Sequence, residues 1–300
     1  MIFAVMRMSW GTTSRKVMVT LFGININNMN EIINFLQYSF VQRAFLAGSF
    51  VAITCAALGM FLVLRKMSLI GDGLSHVSFG AIALGLVFGS SPSYVAVPVV
   101  LLGSILILKI SEKAKVYGDA AIGIVSAVGI AGGVILASIT KGFNVDLFSY
   151  LFGNILAISR AEVIFSIILS LIVLVLLSIF YWDLFSATFD EEYARTTGIK
   201  TNFINVLLVM MTAITVILSV KMVGVMLVSA LLILPAVSAL QLSKSLGQSI
   251  FFAIIFSVLS VFFGIALSFF LDLPTGATIV LFNVFIFSLS FAFRQLNVGE

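Results

Sequence analysis

The residues best able to do chemistry lie one helical turn apart in the stretch Met67-Ser-Leu-Ile-Gly-Asp-Gly-Leu-Ser-His-Val-Ser-Phe-Gly-Ala-Ile-Ala-Leu-Gly85. His76 is the only histidine of the chain, and Asp72 is the one carboxylate inside a long apolar run. Ionisable groups in such runs are costly and normally face a protein interior or a water-filled path. Carboxylate oxygen and neutral imidazole nitrogen are ligands that manganese, iron and zinc all accept. Residues at i and i+4 share one helix face, and Gly80 continues that face with Ala83 close to it. The spacing therefore predicts two metal ligands followed by small residues that leave space or permit close packing. A simpler reading has Asp72 as a helix N-cap and His76 bonded to a neighbouring carbonyl. One chain offers two ligands where zinc prefers four, so a symmetric homodimer with this face on its axis would complete the set. A ligating His76 must be neutral, which predicts weaker metal binding in mild acid.

The elements that must carry these residues are membrane helices. Of 300 residues, 61% are apolar and only 9% charged, with a mean hydropathy of +1.25. Soluble domains are about 25% charged, so the composition excludes one. At about 20 residues per span, the apolar fraction supplies roughly nine. The reading is an all-α polytopic protein with spans near 41–64, 67–89, 92–110, 119–139, 161–181, 202–219, 222–241, 249–271 and 277–293, with eight spans as the alternative. The segment 143–157 is too short and broken to span and reads as a short helix or re-entrant piece.

Basic residues set the orientation. With the first span running inward, Arg65, Lys66, Lys109, Lys113, Lys115, Arg195, Lys200, Lys244 and Arg294 are cytoplasmic, against Arg43, Lys141, Arg160 and Lys221 outside. The N-terminus is then expected to be external and the tail, 294–300, cytoplasmic. Residues 1–40 read as an extension and lead-in to the domain at 41–293, and residues 1–28, before Met29, as dispensable. The net charge of +4 is scattered over short loops, which does not suit nucleic acid. Cys55 is alone in an apolar span and reads as a small buried residue. No G-x-x-x-x-G-K-[ST] loop is present, so the sequence holds no sign of ATP hydrolysis by this chain. Pro235 lies inside a span and predicts a kink. Asn283 and Ser126 read as interhelical hydrogen-bonding residues, and Gly129, Gly132 and Gly133 as close packing.

The block Arg65-Lys-Met-Ser-Leu-Ile-Gly-Asp-Gly-Leu-Ser-His76 resembles the membrane permeases of bacterial ABC importers for zinc, manganese or iron. Further blocks occur in that family's order: Ala121-Ile-Gly-Ile124, Tyr150-Leu-Phe-Gly-Asn154, Asp190 with Ala194 and Gly198, Val223-Gly224 through Leu234-Pro235-Ala236, and Leu273-Pro-Thr-Gly276. Together they cover about residues 38 to 293. Asn154 departs from the aspartate common at that position. The resemblance implies a type-II-importer-like permease in the bacterial plasma membrane, with Asp72 and His76 coordinating the transported divalent metal and no permanently bound cofactor. It also implies a homodimer, a separate cytoplasmic ABC ATPase, and an extracytoplasmic metal-binding protein. By analogy with related importers, the ATPase would dock on 239–248, through Gln241, Ser243, Lys244 and Gly247. A second docking segment is 190–198, with Asp190, Ala194 and Gly198. Zinc is slightly preferred over manganese or iron. The competing reading is an ion-coupled carrier working alone, which one aspartate per chain argues against. A siderophore or cobalamin permease would need a wide cavity without metal ligands.

Overall fold

The computed structural model describes residues 37–88, 92–113, 118–139, 151–153, 155 and 158–298. The described residues form helices α1 (Ser39–Leu64), α2 (Ile70–Val87), α3 (Pro92–Lys113), α4 (Gly118–Ile139), α5 (Arg160–Ile179), α6 (Tyr181–Phe189), α7 (Glu191–Thr196), α8 (Thr201–Val223), α9 (Val228–Leu242), α10 (Leu246–Leu271) and α11 (Thr275–Val298). Nine of these segments are long and apolar enough to cross a membrane, α9 together with the 3-10 turn Val225–Leu227 that leads into it. The eight-span alternative is thus one short. Even the shortest, at 18 residues, is about 27 Å long, close to an ~30 Å hydrocarbon core.

Burial separates the centre from the periphery. In α1, α2 and α8 the membrane windows are 72%, 67% and 67% buried, against 22% in α4 and α5. Large apolar side chains on the outer helices, such as Val128, Ile135, Ile164 and Phe263, stay exposed. In water that would be unfavourable, but lipid is as apolar as they are. Around this centre α2 packs along α4, α3 and α8, while α1 packs along α10, α9 and α5.

Helix ends differ from the sequence reading where local chemistry overrides hydropathy. The sixth span was expected to stop at residue 219, ahead of Lys221. Instead α8 continues to Val223, because Lys221 pairs with Glu162 at the start of α5. Glu162 is itself fixed by a capping box with Ser159, whose N–H donates to Oε2 at 2.9 Å while Ser159 Oγ accepts from the Glu162 N–H at 3.3 Å. The seventh span, expected from residue 222, begins as a regular helix only at Val228. The break falls at Gly224, whose φ of 88° is a conformation that L side chains avoid. A Cβ there would lie 2.3 Å from the Leu151 carbonyl oxygen, and one on Gly276 2.2 Å from that of Val223. Three of the short motifs therefore meet backbone to backbone at the end opposite Arg65. Most of 143–157, including Tyr150 and Asn154, lies outside the described residues, as do residues 1–36 and the Lys115 and Lys141 positions used for orientation.

Candidate metal centre

Asp72 sits in the first turn of α2 and His76 one turn further on. The N-cap of α2 is Leu69, with no side-chain cap bond, so Asp72 does not cap this helix. Its carboxylate instead lies within the first turn of the helix. His76 Nε2 stands 3.6 Å from Asp72 Oδ2. That is too long for a hydrogen bond and short enough for both atoms to face one ion. The Asp72 side chain is 45% exposed and that of His76 22%.

The surroundings of the pair are more selective than the spacing suggested. From Ile70 to Gly85, only Asp72, His76, Gly80 and Leu84 escape full burial. They recur every four residues and form one open stripe on an otherwise enclosed helix. Ala83, expected on this face, is 2% exposed, and Leu84 takes its place. A strict four-residue step matches the tilt of the open stripe, which is set by the neighbours and not by the helix period alone.

Those neighbours hold the pair by backbone contact. A Cβ on Gly129 of α4 would lie 2.8 Å from the His76 carbonyl oxygen, and one on Gly80 2.6 Å from that of Gly129. Gly133 faces the Phe79 ring and the Gly80 backbone, whereas a Cβ on Gly132 would meet nothing within 4 Å. Of the glycine group read as close packing, two serve that purpose and one borders an apolar groove of about 490 Å³ between α2, α3 and α4. Ser75 Oγ donates to the Asp72 carbonyl at 2.7 Å, which adds polar capacity within the same turn. Among the described residues no three His, Cys, Asp or Glu side chains gather in one place. Asp72 and His76 thus stand as a pair, with no third such side chain beside them among the described residues.

The other residues singled out by sequence fall elsewhere. Pro235 is buried inside α9, which remains helical around it, so the Leu231 carbonyl loses its usual i+4 donor. Asn283 is 1% exposed, and its Nδ2 donates to the Ile279 carbonyl of its own helix at 3.2 Å. Gln241 ends α9 and accepts from Arg294 Nη1 at 2.6 Å. Ser243 and Lys244 occupy the tight turn into α10, where the Lys244 N–H donates to Gln248 Oε1 at 3.0 Å, and Gly247 lies in the first turn of that helix. The 190–198 segment is built differently. Asp190 Oδ1 accepts from the Tyr193 N–H at 2.9 Å and caps α7. From residue 190 to 198 only Ala194 is buried, so α7 projects as a separate knob seated on one small side chain. Gly198 closes it with a φ of 92°. Sequence reasoning missed Leu84 on the stripe and the hydrogen bonds that Arg65 donates to Asn205 and to the Ala187 carbonyl. The basic pair at the end of the first span was its one available signal.

Known proteins share this architecture. The family described as ABC 3 transport family matches residues 37–294. The chain is 35% identical over 258 residues to the "Manganese transport system membrane protein MntC" of Halalkalibacterium halodurans, covering 86% of this chain and 88% of that one. It is 34% identical over 259 residues to the "High-affinity zinc uptake system membrane protein ZnuB" of Haemophilus influenzae, covering 86% and 99%. The solved structure "PsaBC from Streptococcus pneumoniae in complex with Fab" superposes with a TM-score of 0.80 at 32% identity, over 88% of this chain and 95% of that one. By sequence over most of its length, and by fold, this chain belongs to the ABC 3 transport family.

Proposed function

We propose that this permease carries a divalent first-row metal ion inward, with Asp72 and His76 as the ligands that each chain offers in the path. The observation that carries this reading is the stripe. The single open line on a central, enclosed helix bears the chain's only histidine and the one carboxylate within its apolar runs. Two such ligands fall short of the four to six that these metals take. A second copy placing its own Asp72 and His76 opposite would supply four. A site divided between two bodies also has a release mechanism: when they separate, each half keeps too few ligands to hold the ion. Neither ligand alone separates zinc from manganese, since carboxylate suits manganese and imidazole suits zinc. The relatives are named for both, so the pair is proposed for either ion.

The energy would come from a separate ATPase subunit, and an extracytoplasmic binding protein would deliver the ion. Of the two docking segments, the geometry favours α7. It is an exposed, capped helix standing clear of the spans, whereas 239–248 is a helix end, a tight turn and a helix start bonded to one another. In purified permease–ATPase complexes, a Tyr193→Cys variant should crosslink to the ATPase more readily than a Lys244→Cys variant. The reverse preference would return docking to 239–248.

The transport reading is tested in proteoliposomes containing permease and ATPase, with ATP and radiolabelled zinc or manganese. Uptake should need ATP and should be lost in Asp72→Ala and His76→Ala. Uptake that survives both substitutions would overturn the assignment. Parallel measurements with the two ions would give the preference.

A further inference from the structure

Arg65 belongs to the basic pair of the strongest sequence block, yet metal coordination leaves it without a task. Its position is unusual for a charge at a helix end. Arg65 Nη1 donates to Asn205 Oδ1 of α8 at 2.6 Å, and Nη2 donates to the Ala187 carbonyl of α6 at 2.7 Å. One planar guanidinium thus ties the end of α1 to α6 and α8. Arginine suits this because its fork presents several donors in a fixed plane, which lysine cannot reproduce. Burial of the guanidinium lowers its pKa, a tendency opposed by Glu191 at the start of α7.

The turn between Arg65 and α2 is pinned by backbone hydrogen bonds. The Lys66 N–H donates to the Val63 carbonyl at 3.1 Å, and the Met67 N–H to that of Leu62 at 2.9 Å. These are the paired bonds of a Schellman turn, here with Lys66 rather than glycine at φ 57°. The Ile70 N–H then donates to the Met67 carbonyl at 3.1 Å and the Gly73 N–H to that of Leu69 at 3.1 Å. A succession of backbone hydrogen bonds therefore joins Arg65 to the first turn of α2, where Asp72 sits. On the other side, α6 ends at Phe189, and Asp190 alone separates it from α7.

We propose that Arg65 is a positioning residue, a strut that passes displacement of the α6–α7 unit to the α1–α2 turn and so sets the place of Asp72. The proposal rests on α7 being the ATPase-docking element. A strut differs from a structural anchor in what its loss should do. Removing an anchor weakens the fold and lowers every activity together. Removing a strut leaves the ATPase bound and turning over, while the metal path no longer responds to it.

The test uses the reconstituted permease–ATPase complex, with ATP hydrolysis and radiolabelled manganese or zinc uptake measured on the same vesicles. Losing a charged hydrogen-bond pair is a large perturbation, so Arg65→Ala should lower uptake on the order of tenfold while hydrolysis per complex stays near wild type. Arg65→Lys keeps the charge without the fork and should also lose uptake. Asn205→Ala removes one arm, and the double variant Arg65→Ala/Asn205→Ala should be no worse than Arg65→Ala alone. If Arg65→Ala does not accumulate, Arg65→Lys and Asn205→Ala still decide the matter. Unchanged uptake, equal loss of uptake and hydrolysis, or additive losses in the double variant would each overturn the strut. The Tyr193→Cys crosslink separates the two readings. With the crosslink present and coupling intact in Arg65→Ala, the strut fails alone; without the crosslink, the docking reading fails.

Discussion

Asp72 and His76 are four residues apart, and the 3.6 Å between their facing atoms sets what each can be asked to do. Asp72 does not serve as a cap, and the line of open neighbours leads along α2 toward its far end. As a ligand, the imidazole must lose its proton before it can bind, so protons and metal compete for His76. The half-saturating metal concentration for uptake should therefore rise as the medium is acidified. His76→Ala should show weaker affinity throughout and a flatter pH dependence. Loss of groups that merely support a ligand costs 10–100-fold in affinity, so loss of the ligand itself should cost at least about tenfold. A steep acid dependence that persists in His76→Ala would move the proton-sensitive step elsewhere. The pair was legible in the sequence because charge in an apolar run is conspicuous and i, i+4 spacing is local. Leu84 was not, since whether position 83 or 84 stays open depends on helices distant in sequence.

At the scale of elements, the same division holds between what is local and what is not. The apolar runs give nine spans, and the spans give the topology. The end of α8 and the start of α9 were misread because two tertiary facts decide them. Lys221 is paired with Glu162, 59 residues away, and can remain in a helix that hydropathy would have ended. Gly224 must sit against the Leu151–Gly153 backbone, which breaks the helix where the apolar run continues. The α2–α4 contact is another such feature, and it bears directly on the metal ligand. Gly129→Val would drive a side chain against the His76 carbonyl and the Val77 backbone, 2.8 to 2.9 Å away, where no flexible side chain can yield. Overpacking of this kind costs about 1–3 kcal/mol. Gly129→Val should thus lower the melting temperature in detergent and impair uptake. Gly132→Val, three residues on and facing open space, should retain both. Equal behaviour of the two variants would show that the α2–α4 approach is not what holds His76.

For the whole molecule, the question is what covers the open stripe. Nine apolar helices among the described residues and membership of the ABC 3 transport family make this a multi-pass protein of the bacterial inner membrane. Ionisable side chains within a span are costly and normally face protein or water, so lipid is a poor occupant for a line carrying Asp72 and His76. A second copy related by a two-fold axis beside His76 would remove that cost and would complete the proposed ligand set. The axis would bring each stripe residue near its own counterpart, because an isologous contact places the same patch on both sides. The apolar groove lined by Gly80, Leu102 and Leu106 opens beside the stripe and would widen the contact. Leu84, two turns beyond His76, lies on the stripe but clear of the ligands. In a Cys55→Ser background, Leu84→Cys should form an intermolecular disulfide on mild oxidation in membranes. This requires Cα atoms within about 7 Å, and a poorly matched pair cannot close. Ile172→Cys, on the exposed face of α5, should remain monomeric under the same treatment. If Leu84→Cys and Val87→Cys both stay monomeric and the native complex still transports, the stripe does not lie on the axis. The ion would then have to draw its remaining ligands from somewhere other than a second stripe.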